Sequence, residues 1–148
     1  LGNHYYDFPT PIKLEKRLKD VLETNVDEKY YLSSDIIKYF EKHNNRIVEF
    51  GTYYTWKNKQ GNINTQCNRA ANEDNCVLTI VCAGTGKVLE KQSYRIRKLT
   101  PKECGRLMGV RDDDIDTMSV NQSNSSLYHL FGDSIVVDVL MAIFKQMI

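Results

Sequence analysis

The stretch from Arg97 to Val110, Arg-Lys-Leu-Thr-Pro-Lys-Glu-Cys-Gly-Arg-Leu-Met-Gly-Val, leaves the chain little conformational choice. Thr100 is a good N-cap, Pro101 falls at the first helical position where a missing N–H costs nothing, and Glu103 stands three residues past the cap. Together they make a capping box with proline at its head. Leu99 and Cys104 occupy the two positions of a hydrophobic staple, which fixes the angle of entry into the helix. Leu107 and Met108 supply an apolar face and Gly109 a stop. A basic strand end, Arg97-Lys98, therefore runs straight into a short and sharply bounded helix.

Charge is distributed unevenly over a nearly neutral chain of 148 residues with net charge +1. Residues 36–70 carry six basic and two acidic side chains, and residues 87–106 carry seven and two. The remaining segments are acidic. Two basic blocks on a neutral body suit a surface that meets phosphate, because phosphate neutralisation drives such binding. The length is that of one domain with a real core. No apolar run reaches the ~20 residues of a membrane span, and the start does not read as a signal peptide. The cysteines, Cys67, Cys76, Cys82 and Cys104, form no Cys-x-x-Cys pair, so they read as reduced thiols of a cytoplasmic protein and not as metal ligands. Ala83 to Val88 is not a phosphate loop, because its first glycine would have to be Val81 and Lys87 is followed by valine.

The capped stretch also resembles the ninth conserved motif of the cytosine-5 DNA methyltransferases. A second match follows in order, where Ser126-Leu127-Tyr128 leads to Gly132-Asp133-Ser134-Ile135-Val136-Val137 and an apolar helix. This is similar to the family's tenth and last motif. The resemblance implies a division into a lead-in with helices over 1–44, a target-recognition region over 45–96, and a segment bearing the two motifs over 97–148. It implies double-stranded DNA as partner and S-adenosylmethionine as cofactor, held mainly by a part of the enzyme that these residues do not contain. Pro-Cys, Glu-Asn-Val and Phe-x-Gly-x-Gly, which carry the family's nucleophile, assisting carboxylate and cofactor turn, do not occur. No catalytic residue is assigned in this chain, and alone it is expected to be inactive.

Taken in order, the chain reads as α+β. Lys13 to Glu23 has Leu14, Leu18, Val21 and Leu22 at helical spacing. Ser33-Ser34-Asp35 starts a second helix through Phe40. Ile47 to Trp56 is rich in β-branched and aromatic residues, as strands are, with Ile63 to Cys67 as the return strand of a hairpin after a polar turn. Residues 68–75 read as a polar loop, Cys76 to Cys82 as a strand, the glycines before Val88 as a turn between strands, and Tyr94 to Arg97 as the second strand. Beyond the capped helix, Arg111 to Asp116 reads as a solvated turn or helix start and Ser119 to Ser126 as a polar loop. The last helix is expected from Asp133 or Ser134, with Val136, Val139, Leu140, Ile143, Phe144 and Met147 along one face.

Base reading in the major groove needs long hydrogen-bonding side chains on loops. Lys57, Lys59, Gln66, Asn68 and Arg69 are of that type, and Asn68-Arg69 followed by Val77-Leu78-Thr79 resembles a phage-type signature whose first Thr is here Val77. The DNA-binding set is completed by Thr79, Lys87 and Arg97. By analogy with the family's motif, Arg97 and Arg106 are expected to meet backbone or serve structure, not to read bases. Asp133 and Ser134 stand where relatives place a Gly-Asn-Ser turn beside the cofactor. Asp for Asn sets a carboxylate against the cofactor's own. The apolar face of the last helix calls for a cover, either the catalytic part or a second copy of the chain in a homodimer. The alternative reading is a non-catalytic DNA-binding or interaction protein, as a diverged remnant or split subunit.

Overall fold

The computed structural model describes residues 8–11, 13, 15–33, 48–49, 53–55, 69–76, 86–90, 92–93 and 95–147. The expected helix from Ser33, the return strand at Ile63–Cys67 and the strand body at 77–82 lie outside them. The fold is α+β. Five strands, β1 (Val48–Glu49), β2 (Tyr53–Thr55), β3 (Arg69–Asn72), β4 (Lys87–Glu90) and β5 (Arg95–Lys98), lie side by side in chain order. All neighbours are antiparallel except β3 and β4, which are parallel. Parallel neighbours need a connection of about a dozen residues or more. Four α-helices follow: α1 (Pro101–Leu107), α2 (Asp112–Ser119), α3 (Asn124–Gly132) and α4 (Val137–Met147).

Each face of the sheet has its own apolar cluster. Ala71 and Val88 pack with Leu99, Cys104, Met108, Ile115, Leu127 and Phe131 beneath the helices. Ala70, Leu89 and Ile96 form the other cluster, with Leu32 against them. The small Ala70-Ala71 pair is wholly buried, one residue on each face, as suits a central strand.

Several expectations are corrected. The amphipathic pattern at 13–23 gives only a 3-10 turn at Leu18–Asp20. Leu18 and Lys19 donate their N–H groups to the carbonyls of Asn75 and Glu73, at 2.9 and 2.8 Å, so the sheet's crossover takes the donors that a helix would have used. The run from Ile47 to Trp56 holds two strands, β1 and β2, with Val48 opposite Thr55 and Glu49 opposite Tyr54. Arg69–Asn72 is strand, not loop, and the bend falls at 73–75. The hairpin turn before β5 lies at Gln92-Ser93, with Lys87 already inside β4. Ser119–Ser126 contains the start of α3, capped by Ser123, whose hydroxyl accepts from Ser126 N–H.

The last helix starts at Val137 and not at Asp133. Val137 N–H donates to the Met108 carbonyl at 2.9 Å, which ties the head of α4 to the end of α1. Asp133 instead closes α3, its N–H donating to the His129 carbonyl at 3.0 Å.

Candidate functional site

The capped stretch forms the joint between sheet and helices, and the capping box sets its geometry. Thr100 Oγ1 accepts from Glu103 N–H at 3.2 Å, and Glu103 Oε2 accepts from Thr100 N–H at 2.7 Å. Leu99 and Cys104 are both buried in the core beneath α1, at the staple positions. Gly109 has φ of 80°, a left-handed conformation that ends the helix at no steric cost.

The same Glu103 carboxylate meets Arg97. Arg97 Nη1 donates to Oε2 and Nη2 to Oε1, both at 2.8 Å, a bidentate pair with both side chains fully buried. Glu103 Oε1 also accepts from the N–H of Glu23 at 2.8 Å, so each oxygen of this buried carboxylate has two donors. Arg97 Nε donates to Glu90 Oε1 at 2.5 Å, and Nη1 also reaches the Lys98 carbonyl at 3.2 Å. Burial alone would favour a neutral guanidinium, but its bonds to Glu103 and then Glu90 hold its pKa above the ordinary arginine value.

A second tier surrounds this pair. Glu90 accepts from the Tyr31 hydroxyl at 3.0 Å and from the Ser93 hydroxyl at 2.9 Å. Burial works to raise the Glu90 pKa, but its bonds to Arg97, Ser93 and Tyr31 outweigh that and lower it. Arg95 lies 4.0 Å from the centre of the Tyr31 ring and is paired with Glu28. Tyr31 bridges to Arg97 through its backbone, and Leu32 N–H donates to Ile96 O at 2.9 Å. The lead-in is thus strapped along β5. Arg106 forks onto Asp112 at 2.8 and 2.6 Å and reaches the Val21 carbonyl at 3.1 Å, tying α1 to α2 and to the lead-in. Tyr128 O–H donates to the Leu99 carbonyl at 2.6 Å, and burial raises the phenol's pKa.

The sequence-predicted site residues fall in three groups. Lys57, Lys59, Gln66, Asn68 and Thr79 lie outside the described residues. Arg69 opens β3 opposite Thr55, half-buried, and Lys87 opens β4 opposite Lys98. Arg97 is corrected out of the DNA-facing set, because its side chain has no accessible surface and its nitrogens are turned to Glu103, Glu90 and the Lys98 carbonyl. Asp133 and Ser134 are exposed at the end of α3, with Ser134 Oγ donating to the Phe131 carbonyl at 3.1 Å. Cys104 is no nucleophile: burial pushes its thiol up to about 12.

Sequence reasoning missed Glu90, Tyr31 and Glu23 as partners of the joint. Tyr31 and Glu90 stand 59 positions apart and carry no local signal. It also missed a polar cleft of about 290 Å³ between the lead-in and the helices, lined by Asn25, Asp27, Tyr30, Lys102, Gln122 and Asn124 among others. The Asn124 amide donates to the Tyr30 hydroxyl there at 2.8 Å.

Residues 3–148 match the family model described as C-5 cytosine-specific DNA methylase. The chain is 34% identical over 145 residues to the type II methyltransferase M2.ScrFI of Lactococcus lactis subsp. cremoris, covering 98% of this chain and 37% of that one. It is 52% identical over 60 residues to the orphan methyltransferase M.Rho11sI of Bacillus phage rho11s, covering 40% of this chain and 12% of that one. Among solved structures, the fold resembles the Entamoeba histolytica methyltransferase EhMeth with a TM-score of 0.60 at 14% identity, covering 96% of this chain and 44% of the other. The S. pombe Dnmt2 methyltransferase gives 0.58 at 15% identity, covering 90% and 42%. The chain spans 37% of the length of M2.ScrFI and 36% of that of the type II methyltransferase M.SsoII of Shigella sonnei, and by the match over residues 3–148 it belongs to the C-5 cytosine-specific DNA methylase family.

Proposed function

We propose that the chain is the C-terminal DNA-recognition part of a cytosine-5 DNA methyltransferase. The observation that carries this reading is the family match across residues 3–148 by a chain that spans 37% of M2.ScrFI. In this reading residues 45–96 hold the duplex while a flipped cytosine enters a pocket in the catalytic part, which lies outside these residues. Residues 97–148 connect the two. The buried Arg97–Glu103 pair and the Arg106–Asp112 fork fix how β5 delivers the sheet onto α1. Base and phosphate contacts then belong to Lys57, Lys59, Gln66, Asn68, Arg69, Thr79 and Lys87. The protein works in the cytoplasm, where DNA and cofactor are found.

S-adenosylmethionine supplies the methyl group when bound. Asp133 and Ser134 are exposed at the carboxyl end of α3, where the helix dipole is negative. A carboxylate and a hydroxyl at that end fit the cofactor's ammonium and disfavour its carboxylate, so the rest of the cofactor falls to the catalytic part. The exposed α4 side chains Val139, Met141, Phe144 and Met147 need a cover, and the catalytic part, or a second copy in its absence, supplies one. The departures at Val77 and Asp133 support a second reading, in which the chain is a diverged remnant or split subunit that binds DNA without methylating it.

Duplex DNA binding at a series of salt concentrations tests the recognition role. Replacing Lys57 and Lys59 together with alanine flattens the slope of log K against log salt by about two. A parent chain that does not bind duplex DNA, or an unchanged slope, contradicts it.

A further inference from the structure

No residue of α4 is buried, although only Asp138, Lys145 and Gln146 of its 11 residues are polar. Its head is fixed, since Val137 N–H donates to the Met108 carbonyl and Val136 packs against the core. Beyond that anchor, Val137, Met141 and Phe144 recur at i, i+4 and i+7, which sets them along one face, and all three are exposed. This is the spacing of a coiled-coil seam, with Met141 at an a position and Val137 and Phe144 at d. Asp138 and Lys145 then share position e. They stand about two turns apart on the same edge of the seam. Both are exposed, and neither makes an ion pair among the described residues.

An anion and a cation on one edge of a helix are complementary to their own copy, provided that the copy is reversed. A two-fold axis perpendicular to α4 lays each edge against the same edge of a second chain running the other way. Asp138 then meets Lys145 of the second copy, and Lys145 meets its Asp138. Met141 of each copy packs against Phe144 of the other, a favourable sulfur–aromatic contact. A parallel pair instead sets position e against position g, where Leu140 and Met147 stand, and leaves both charges without a counterpart. Charges at e and g are what select partner and direction in such pairs.

We propose that α4 is a self-complementary docking surface whose occupant is α4 of a second copy of this chain, paired antiparallel. This makes specific the cover proposed above for α4 and rests on that reading, while the DNA-recognition role is independent of it. An 11-residue helix presents a small seam, so the pair is weak and depends on protein concentration.

Sedimentation velocity of the chain over a range of concentrations tests the pairing. The parent shifts from monomer to dimer as concentration rises. Asp138→Lys and Lys145→Asp each set like charges against each other at both ends of the pair and weaken self-association by about tenfold. The double variant Asp138→Lys/Lys145→Asp returns to the parent's strength, and so does an equimolar mixture of the two single variants. The double variant is also the least favourable of the three for the helix dipole, so its recovery comes from the pairing and not from a firmer helix. A parent that stays monomeric at every concentration overturns the proposal and gives the face to the catalytic part. A dimer that the single reversals leave unchanged, or that the double variant does not restore, overturns the antiparallel pairing. A monomeric parent that still binds duplex DNA with the expected salt slope shows that the pairing has failed and the recognition role has not.

Discussion

A guanidinium with no accessible surface keeps its charge only where carboxylates replace the lost water, and Arg97 has two of them. Removing one partner strands the other. Arg97→Met leaves Glu103 buried with the Thr100 and Glu23 N–H donors alone, and the expected loss of stability by urea unfolding is about 3–5 kcal/mol. Arg97→Lys recovers only part of it, because an ammonium cannot reproduce the fork. A loss within the error of the unfolding fit contradicts this account of the joint. Glu90 adds a pH dependence. Its folded pKa lies below the ordinary 4.5, so its contribution is fully present above that value and is lost as pH falls through the lowered one. Glu90→Gln therefore flattens the acid limb of the stability curve below pH 4.5. An acid limb that overlays the parent's contradicts it. Gly105 belongs to the same scale. From the sequence it is a mid-helix glycine that costs about 1 kcal/mol against alanine. In the fold an added Cβ would stand 2.6 Å from Ile115 Cδ1 and 3.0 Å from Phe131 Cζ, so α1 needs glycine in order to pack closely on α2 and α3.

Elements were legible where a local rule set their limits and illegible where distant partners did. α1 was readable from Thr100, Pro101, Glu103 and Gly109 because every signal lies within the helix and its flanks. β5 followed from it by continuity. The 13–23 segment shows the opposite case: its helical periodicity is real, yet its N–H donors go to the carbonyls of Asn75 and Glu73. β3 was read as loop because Arg-Ala-Ala-Asn lacks β-branched residues. Its alanines are chosen by burial on both faces, which no local pattern announces. α4 was recognised by its apolar stripe but started late, because Val137 is tied to Met108 and Asp133 closes the helix before. The cap allows a direct test. Thr100→Ala removes the acceptor for Glu103 N–H and also the hydroxyl bonded to Glu23, and thermal unfolding is expected to show a loss of about 1–2 kcal/mol. Thr100→Ser restores most of it. A Thr100→Ala variant as stable as the parent contradicts the capping account.

At the scale of the molecule, the sheet and α1–α3 bury a shared core, while α4 leaves Val139, Met141, Phe144 and Met147 in the open. By length and composition Asn124–Met147 would suit a membrane span. Yet Leu127 and Phe131 of α3 are core residues, and the chain turns at Asp133–Val136 before α4 begins. An open α4 face and a family match to about a third of M2.ScrFI both agree with a part that docks onto a larger one. The candidate site was only partly legible at this scale. The motif residues were found, but Arg97 was left between a DNA-backbone contact and a structural role, because its partners Glu90 and Glu103 become visible only once β4, β5 and α1 meet. The division of labour in the proposed enzyme is tested most directly by transfer of labelled methyl from S-adenosylmethionine to DNA. The chain would be assayed alone and with the catalytic part that the proposal assigns to it. The account predicts no transfer by the chain alone and transfer by the mixture. Transfer by the chain alone, or none in a mixture that still binds DNA, contradicts it.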